Sequence, residues 1–283
     1  MIDNLFLSVG AMKAGTTWLY EQLKDHPDVA FTPEKEIHYF ANVVGIENQL
    51  NYRSRLLKLK AVMEKYYHGN PSFLSEKVDE IAWYAKYANK KEIDNDWYVS
   101  LFEGCEKKYK ADFSNLYCQM ESDGWENVHL VSERVKAVYT LRDPLKRLWS
   151  HYKFHHKWVG KEDDVLKDGF SAFKETLKKP WFYKNMDYSG NLKRVESGVG
   201  KENLLVLYFE DFRENPQEES DKLCEFLGIS KYTVDAGSKD KKVNATKDFD
   251  MPDEWRKYAI SMLEPYVEEM AANGIVHKKW SVL

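Results

Sequence analysis

Three apolar runs, each leading into a segment with helical spacing, frame the chain. Leu5, Phe6, Leu7 and Val9 pass through Gly10 and Gly15 into Trp18, Leu19, Gln22 and Leu23, a pattern that predicts a buried strand, a tight turn and a helix. Val135, Ala137, Val138, Tyr139, Thr140 and Leu141 make the second run, which Arg142-Asp143-Pro144 breaks. Pro144 suits a first helical turn, and Leu145, Leu148, Trp149, Tyr152 and Phe154 follow it. Asn203 to Phe209 is the third run. Glu210-Asp211-Phe212 closes it before a helix through Leu223, Phe226 and Leu227 that ends near Gly228. Buried strands that each lead into a helix imply an α/β fold: a parallel central sheet flanked by helices, with ligands at the carboxyl ends of the strands.

The connecting segments are less regular. Asp25 to Asp28 reads as a turn and Val29 to Phe31 as a short extended piece, with Thr32 to Phe40 continuing extended so that Glu36 and His38 share a face. Asn48 to Asn95 is mostly helical, Val159 to Lys179 is a charged loop with a short helix, and Asp187 starts a helix ending near Gly198 or Gly200. A terminal helix from Trp255 to Met270 is expected on the outside of the sheet.

Composition narrows the class without naming a function. The 283 residues are 43% hydrophobic and 31% charged, with no Pro/Gly/Ser-rich linker, which favours one domain over residues 1–283. A net charge of −4 gives no support to nucleic-acid binding. Cys105, Cys118 and Cys224 are too scattered for a disulfide framework, and no Cys/His cluster has metal spacing. No stretch is long and apolar enough to span a bilayer and the opening residues carry no leader pattern, so the expectation is a cytoplasmic protein.

The first turn carries the chemistry. Gly10 to Thr17 matches the two glycines and final hydroxyl of a Walker A loop, and its N–H groups converge with those of the helix start on a point suited to phosphate or sulfate. Its lysine is displaced: Thr16 stands where a nucleoside triphosphatase places Lys, and Lys13 comes three residues earlier. That argues against a lysine bridging β- and γ-phosphates beside magnesium. A second strand-turn-helix places Arg142 at a strand end and Ser150 about two turns along a helix, where both can approach one anion.

At Met12-Lys13-Ala14-Gly15-Thr16-Thr17-Trp18-Leu19 the chain resembles the sulfotransferase superfamily, in which this loop takes the 5′-phosphosulfate of 3′-phosphoadenosine 5′-phosphosulfate (PAPS). Thr140 to Tyr152 is similar to the family's 3′-phosphate motif, and Lys35-Glu36-Ile37-His38-Tyr39-Phe40 to its Lys-Glu-x-His-Phe-Phe segment. The resemblance implies a P-loop-NTPase-like sulfotransferase fold and no required metal. Lys13, Ala14, Gly15, Thr16, Thr17 and Trp18 would hold the phosphosulfate, Arg142 and Ser150 the 3′-phosphate, and a late loop with Lys241, Lys242 and Asn244 would fold over the nucleotide. Lys13 would stabilise charge on the bridging oxygen, and Glu36, aided by His38, would take the acceptor's proton. Asp112 and Tyr188 lie in further family-like stretches, although Ala111, Asp112 and Asn115 replace the usual Gly, Glu and Pro. These two, with Trp83, Tyr84 and Tyr87 from the intermotif segment, are candidate substrate contacts. The expected reaction moves a sulfuryl group to a small-molecule, lipid or saccharide acceptor and releases 3′-phosphoadenosine 5′-phosphate (PAP). A nucleotide-dependent phosphotransferase and an inactive PAPS-binding module are the alternatives.

Overall fold

The computed structural model describes residues 1–46, 48–67, 71–234, 247 and 249–282. Five parallel strands, β1 (Ile2–Gly10), β2 (Val29–Phe31), β3 (Tyr109–Asp112), β4 (Ser132–Leu141) and β5 (Leu204–Tyr208), form one sheet in the order β2-β3-β1-β4-β5. The helices are α1 (Thr16–Leu23), α2 (Tyr39–Val43), α3 (Tyr52–Tyr67), α4 (Pro71–Ala88), α5 (Asn95–Ser100), α6 (Ser122–Val131), α7 (Pro144–Trp158), α8 (Gly169–Leu177), α9 (Pro180–Tyr183), α10 (Tyr188–Val199), α11 (Phe209–Glu214), α12 (Pro216–Leu227) and α13 (Asp253–Ala272).

The apolar runs are continuous because both faces of the sheet are covered. In β1, Leu5, Leu7 and Val9 join one core cluster with Val135, Ala137 and Tyr139, while Phe6 enters another with Leu19, Leu23, Val138 and Leu207. Strand alternation sends neighbouring side chains to opposite layers. A third cluster, including Leu148, Trp149, Tyr152, Phe173, Leu177, Phe182, Trp255 and Leu263, lies among α7, α8, α9 and α13.

Two expectations change. The segment after β5 is two helices, broken at Asn215-Pro216, because a proline has no N–H to continue α11 and instead opens α12. The terminal helix packs chiefly on α7, α8 and α10, with Trp255 and Leu263 feeding the third cluster and Met270 reaching the main core.

The parallel arrangement puts five strand ends on one side of the sheet: Gly10, Phe31, Asp112, Leu141 and Tyr208. The segments that follow them build the site.

Candidate active site

The loop after β1 is tied to its neighbour strand by the Ala11 N–H, which donates to the Thr140 carbonyl at 2.8 Å. Lys13 (φ 67°) and Gly15 (φ 95°) both take left-handed backbone, and Gly15 leads directly into α1. Only glycine serves at 15, since a Cβ there would stand 2.7 Å from Phe209 Cδ2. The first-turn N–H groups at Thr16, Thr17 and Trp18 have no carbonyl behind them within the helix, and the positive end of the helix dipole lies at the same place. Thr16 is buried and Thr17 half-buried, while the Trp18 ring packs against Phe212 at 4.9 Å, leaving its backbone N–H to the loop.

The loop meets the β4–α7 turn through the Arg142 Nη1, which donates to the Lys13 carbonyl at 3.0 Å. The guanidinium lies over the Phe209 ring, 4.6 Å from its centroid, so one phenyl group backs both Gly15 and Arg142. The buried Arg142 Nε has no hydrogen-bond partner, and a buried donor of that kind calls for an acceptor. Ser150 is half-buried about two turns along α7. Four residues further on, the Phe154 ring sits beneath the Lys13 ammonium at 4.3 Å. Burial, then the charges of Arg142, Lys157 and Lys35, lower the Lys13 pKa to about 8, with Glu36 opposing them. Cations therefore dominate at this point, and a charged Lys13 there favours an anion.

Glu36 approaches from the segment after β2. Its Oε1 accepts from Lys35 Nζ at 2.8 Å, and its Oε2 accepts from Asn115 Nδ2 at 3.0 Å with His38 Nε2 at 3.3 Å. Burial alone would raise its pKa, but the Lys35 charge and the His38 contact outweigh it and hold the group at about 2. The expected extended geometry does not occur. His38 is left-handed (φ 61°) and immediately precedes α2, so it is this turn that folds its ring back to Glu36. Such backbone costs about 1–3 kcal/mol and needs support. The His38 N–H donates to Ser114 Oγ at 2.8 Å, and Ser114 donates onward to Asp112 Oδ1 at 2.5 Å.

That network corrects the expectation for Asp112. Fully buried, it accepts from Ser114, from Tyr117 at 2.6 Å, from Tyr98 at 3.2 Å and from the Ile37 N–H at 3.4 Å, so it anchors the Glu36–His38 segment and has no side open to a substrate. Burial pushes its pKa up against those hydroxyl donors. The intermotif aromatics are held by packing, with Tyr84 and Tyr87 buried and Trp83 half-buried. Trp83 stacks on Tyr87 at 5.1 Å and donates to the Leu101 carbonyl, while Tyr84 donates to Glu34 at 2.8 Å. Tyr188 is buried and donates to the Arg142 carbonyl at 2.9 Å, so it supports the backbone of the β4–α7 turn. Lys241, Lys242 and Asn244 lie outside the described residues.

The structure adds residues that the sequence reading did not select. Asn115, noted only as a replacement for Pro, is a ligand of Glu36. Arg147 is fully buried, its three guanidinium nitrogens have no hydrogen-bond partner, and the Tyr188 ring lies 6.0 Å away. With His151 and Phe154 it forms a stripe on α7 at i, i+4 and i+7, a periodicity that could have marked an inward face. His151 stacks on Phe182 at 4.4 Å; burial, then the charges of Arg147, His155 and Lys13, push its pKa well below the usual histidine range. Among the described residues no group of three or more His, Cys, Asp or Glu side chains could hold a metal ion, and no helix is long and apolar enough to cross a membrane.

A family model described as a sulfotransferase domain matches residues 3–264. Carbohydrate sulfotransferase 15 of Mus musculus is 22% identical over 257 residues, which cover 79% of this chain and 43% of that protein. Membrane-associated sulfotransferase kil1 of Dictyostelium discoideum is 25% identical over 154 residues, or 54% of this chain and 23% of that one. The chain thus spans less than half the length of either curated relative. Its fold is similar to that of a sulfotransferase from Alicyclobacillus acidocaldarius, with a TM-score of 0.64 at 22% identity over 96% of each chain. It is also similar to the sulfotransferase domain from the curacin biosynthetic pathway, with a TM-score of 0.50 at 17% identity over 93% of this chain and 97% of that one. With the family's domain matched over residues 3–264, on a sheet whose first strand ends in a glycine-containing loop that Arg142, at the end of the fourth, joins by a hydrogen bond, the chain belongs to the sulfotransferase family.

Proposed function

We propose that this sulfotransferase domain takes its sulfuryl group from PAPS and transfers it to a hydroxyl or amine of a small-molecule, lipid or saccharide acceptor, releasing PAP. The observation that carries the donor assignment is the 3.0 Å bond from Arg142 to the Lys13 carbonyl. It joins two separate cation-bearing turns, as a nucleotide with phosphate groups at both ribose ends requires. The residues fit such a donor. The first-turn N–H groups of α1, with Thr16 and Thr17, suit the 5′-phosphosulfate, and the unpartnered Arg142 Nε with the Ser150 hydroxyl suits the 3′-phosphate.

PAPS supplies an activated sulfuryl group. The acceptor oxygen forms a bond to sulfur as the bond to the phosphate oxygen breaks, and the acceptor's proton must leave. Lys13 meets the negative charge that gathers on the departing phosphate oxygen. Glu36 takes the proton. Of the two candidates it has the access, its side chain being 34% exposed against 16% for His38, whose Nδ1 is buried without a partner. His38 and Asn115 orient the carboxylate. Held at about 2, Glu36 is charged at neutral pH but only weakly basic; displacing one of its three donors with an acceptor hydroxyl raises its basicity where it is used. Three free cysteines suit a reducing, cytoplasmic setting.

Incubation with sulfur-labelled PAPS and a fractionated small-molecule extract, followed by mass-shift detection, tests this reading. Label transfer with PAP release is the expected outcome. Magnesium-dependent release of phosphate from ATP with no use of PAPS would replace it with a phosphotransferase, and tight PAPS binding without transfer to any fraction would reduce the domain to a binding module.

A further inference from the structure

The peptide joining Arg142 to Asp143 is gripped from both sides. Tyr188 donates to the Arg142 carbonyl at 2.9 Å, and the Asp143 N–H donates to Glu210 Oε1 at 2.9 Å. Trp280, remote in sequence, touches both grips. Its Nε1–H donates to Glu210 Oε2 at 3.2 Å and its ring centroid lies 6.2 Å from that of Tyr188. One residue on, the Ser281 N–H donates to Asp143 Oδ2 at 2.7 Å, while Asp143 Oδ1 accepts from the Lys146 N–H at 3.0 Å and so caps α7. Asp143 is fully buried and Trp280 is 5% exposed, so each bond has one end shielded from water, where losing a partner costs most.

The segment that carries Trp280 is itself fastened. The Trp280 N–H donates to the His277 carbonyl at 3.0 Å, His277 Nε2 lies 3.1 Å from Asp211 Oδ1, and the Tyr208 ring faces Trp280 at 5.8 Å. Both the end of β5 and the start of α11 therefore hold it in place.

We propose that Trp280 is a positioning residue for the nucleotide's 3′-phosphate: through Glu210 and Tyr188 it fixes the Arg142 backbone, and with it the aim of the guanidinium. This rests on the PAPS reading above. Among the described residues, the contacts on the Arg142 guanidinium are the Phe209 face and the Lys13 carbonyl, so its direction depends strongly on its own peptide. A guanidinium must meet a phosphate within about 0.5 Å and 10–20° to use its full strength.

The test compares two nucleotides that differ only in the 3′-phosphate, PAP and adenosine 5′-phosphate, by calorimetry on the full chain. The wild type is expected to prefer PAP. Trp280→Phe, which keeps a ring but removes the N–H, should narrow that preference about tenfold while leaving the affinity for adenosine 5′-phosphate unchanged. Glu210→Gln, whose single amide oxygen can accept from the Asp143 N–H or the Trp280 Nε1–H but not from both, should act in the same direction, and the double variant should fall short of the sum of the two singles, because both changes act on one chain of bonds. If Trp280→Phe fails to fold, Glu210→Gln carries the measurement. An unchanged preference, or equal weakening of both nucleotides, would overturn the positioning role and leave the donor assignment standing. A wild type that binds neither nucleotide would remove the donor assignment and this role together.

Discussion

Lys13 and Glu36 both have lowered pKa values, burial and neighbouring cations disfavouring the charge of the first while Lys35 and His38 hold the second ionised, and each yields a measurable consequence. With its pKa at about 8, Lys13 is charged below that pH and neutral above it. On the proposed reading, PAP affinity falls as pH rises through about 8, and Lys13→Ala both weakens binding and abolishes that limb; a limb surviving in the variant would assign it to another group. Lys13→Ala should also lower turnover by about 10²–10³-fold, the usual loss for one donor aimed at developing charge. Glu36 stays ionised down to about pH 2, so Glu36→Gln removes a charge present throughout the working range. It should leave PAP binding intact and reduce transfer by about 10²–10⁴-fold. Full activity in that variant, measured with labelled PAPS, would move the base to His38. Lys13 and Glu36 could be nominated from the sequence because the motif residues carry their own chemistry. Asn115 could not, since its role depends on a contact between residues 79 positions apart.

Among the elements, the β1–α1 turn has the least tolerance. Gly15→Ala combines a left-handed φ with a Cβ driven toward Phe209. It should destabilise the protein by about 1–3 kcal/mol in denaturant titration and weaken PAP binding as well, because the turn that stores the strain is the one that presents the N–H groups. Wild-type binding in a stable Gly15→Ala protein would show that the loop geometry is not needed. The strand-turn-helix units could be read from apolar runs ending at glycine or proline, and Pro144 does stand at the first helical position. The segment carrying Glu36 and His38 could not. A non-glycine residue at φ 61° is set by the Ser114–Asp112 anchor, which comes from a different strand.

At the scale of the whole molecule, the α7–α8–α9–α13 cluster stabilises the helix that carries Ser150 and Phe154. Phe173 is its central ring, fully buried at 5.0 Å from Tyr152 and 4.7 Å from Trp255. Phe173→Ala should cost about 3–5 kcal/mol in denaturant unfolding. A loss under about 1 kcal/mol would mean that the cavity collapses freely. The sequence by itself determined the α/β class, the parallel strands and the two cation-bearing turns, because continuous apolar runs, turn residues and motif spacing are local signals. Tertiary structure alone decided which of the nominated residues meet. It buried Asp112 and Tyr188 in hydrogen-bonded packing, stacked Trp83 on Tyr87, drew Asn115 to Glu36, and joined Trp280 to Glu210. Burial and pairing depend on which strand ends the sheet brings together, and no local pattern encodes that.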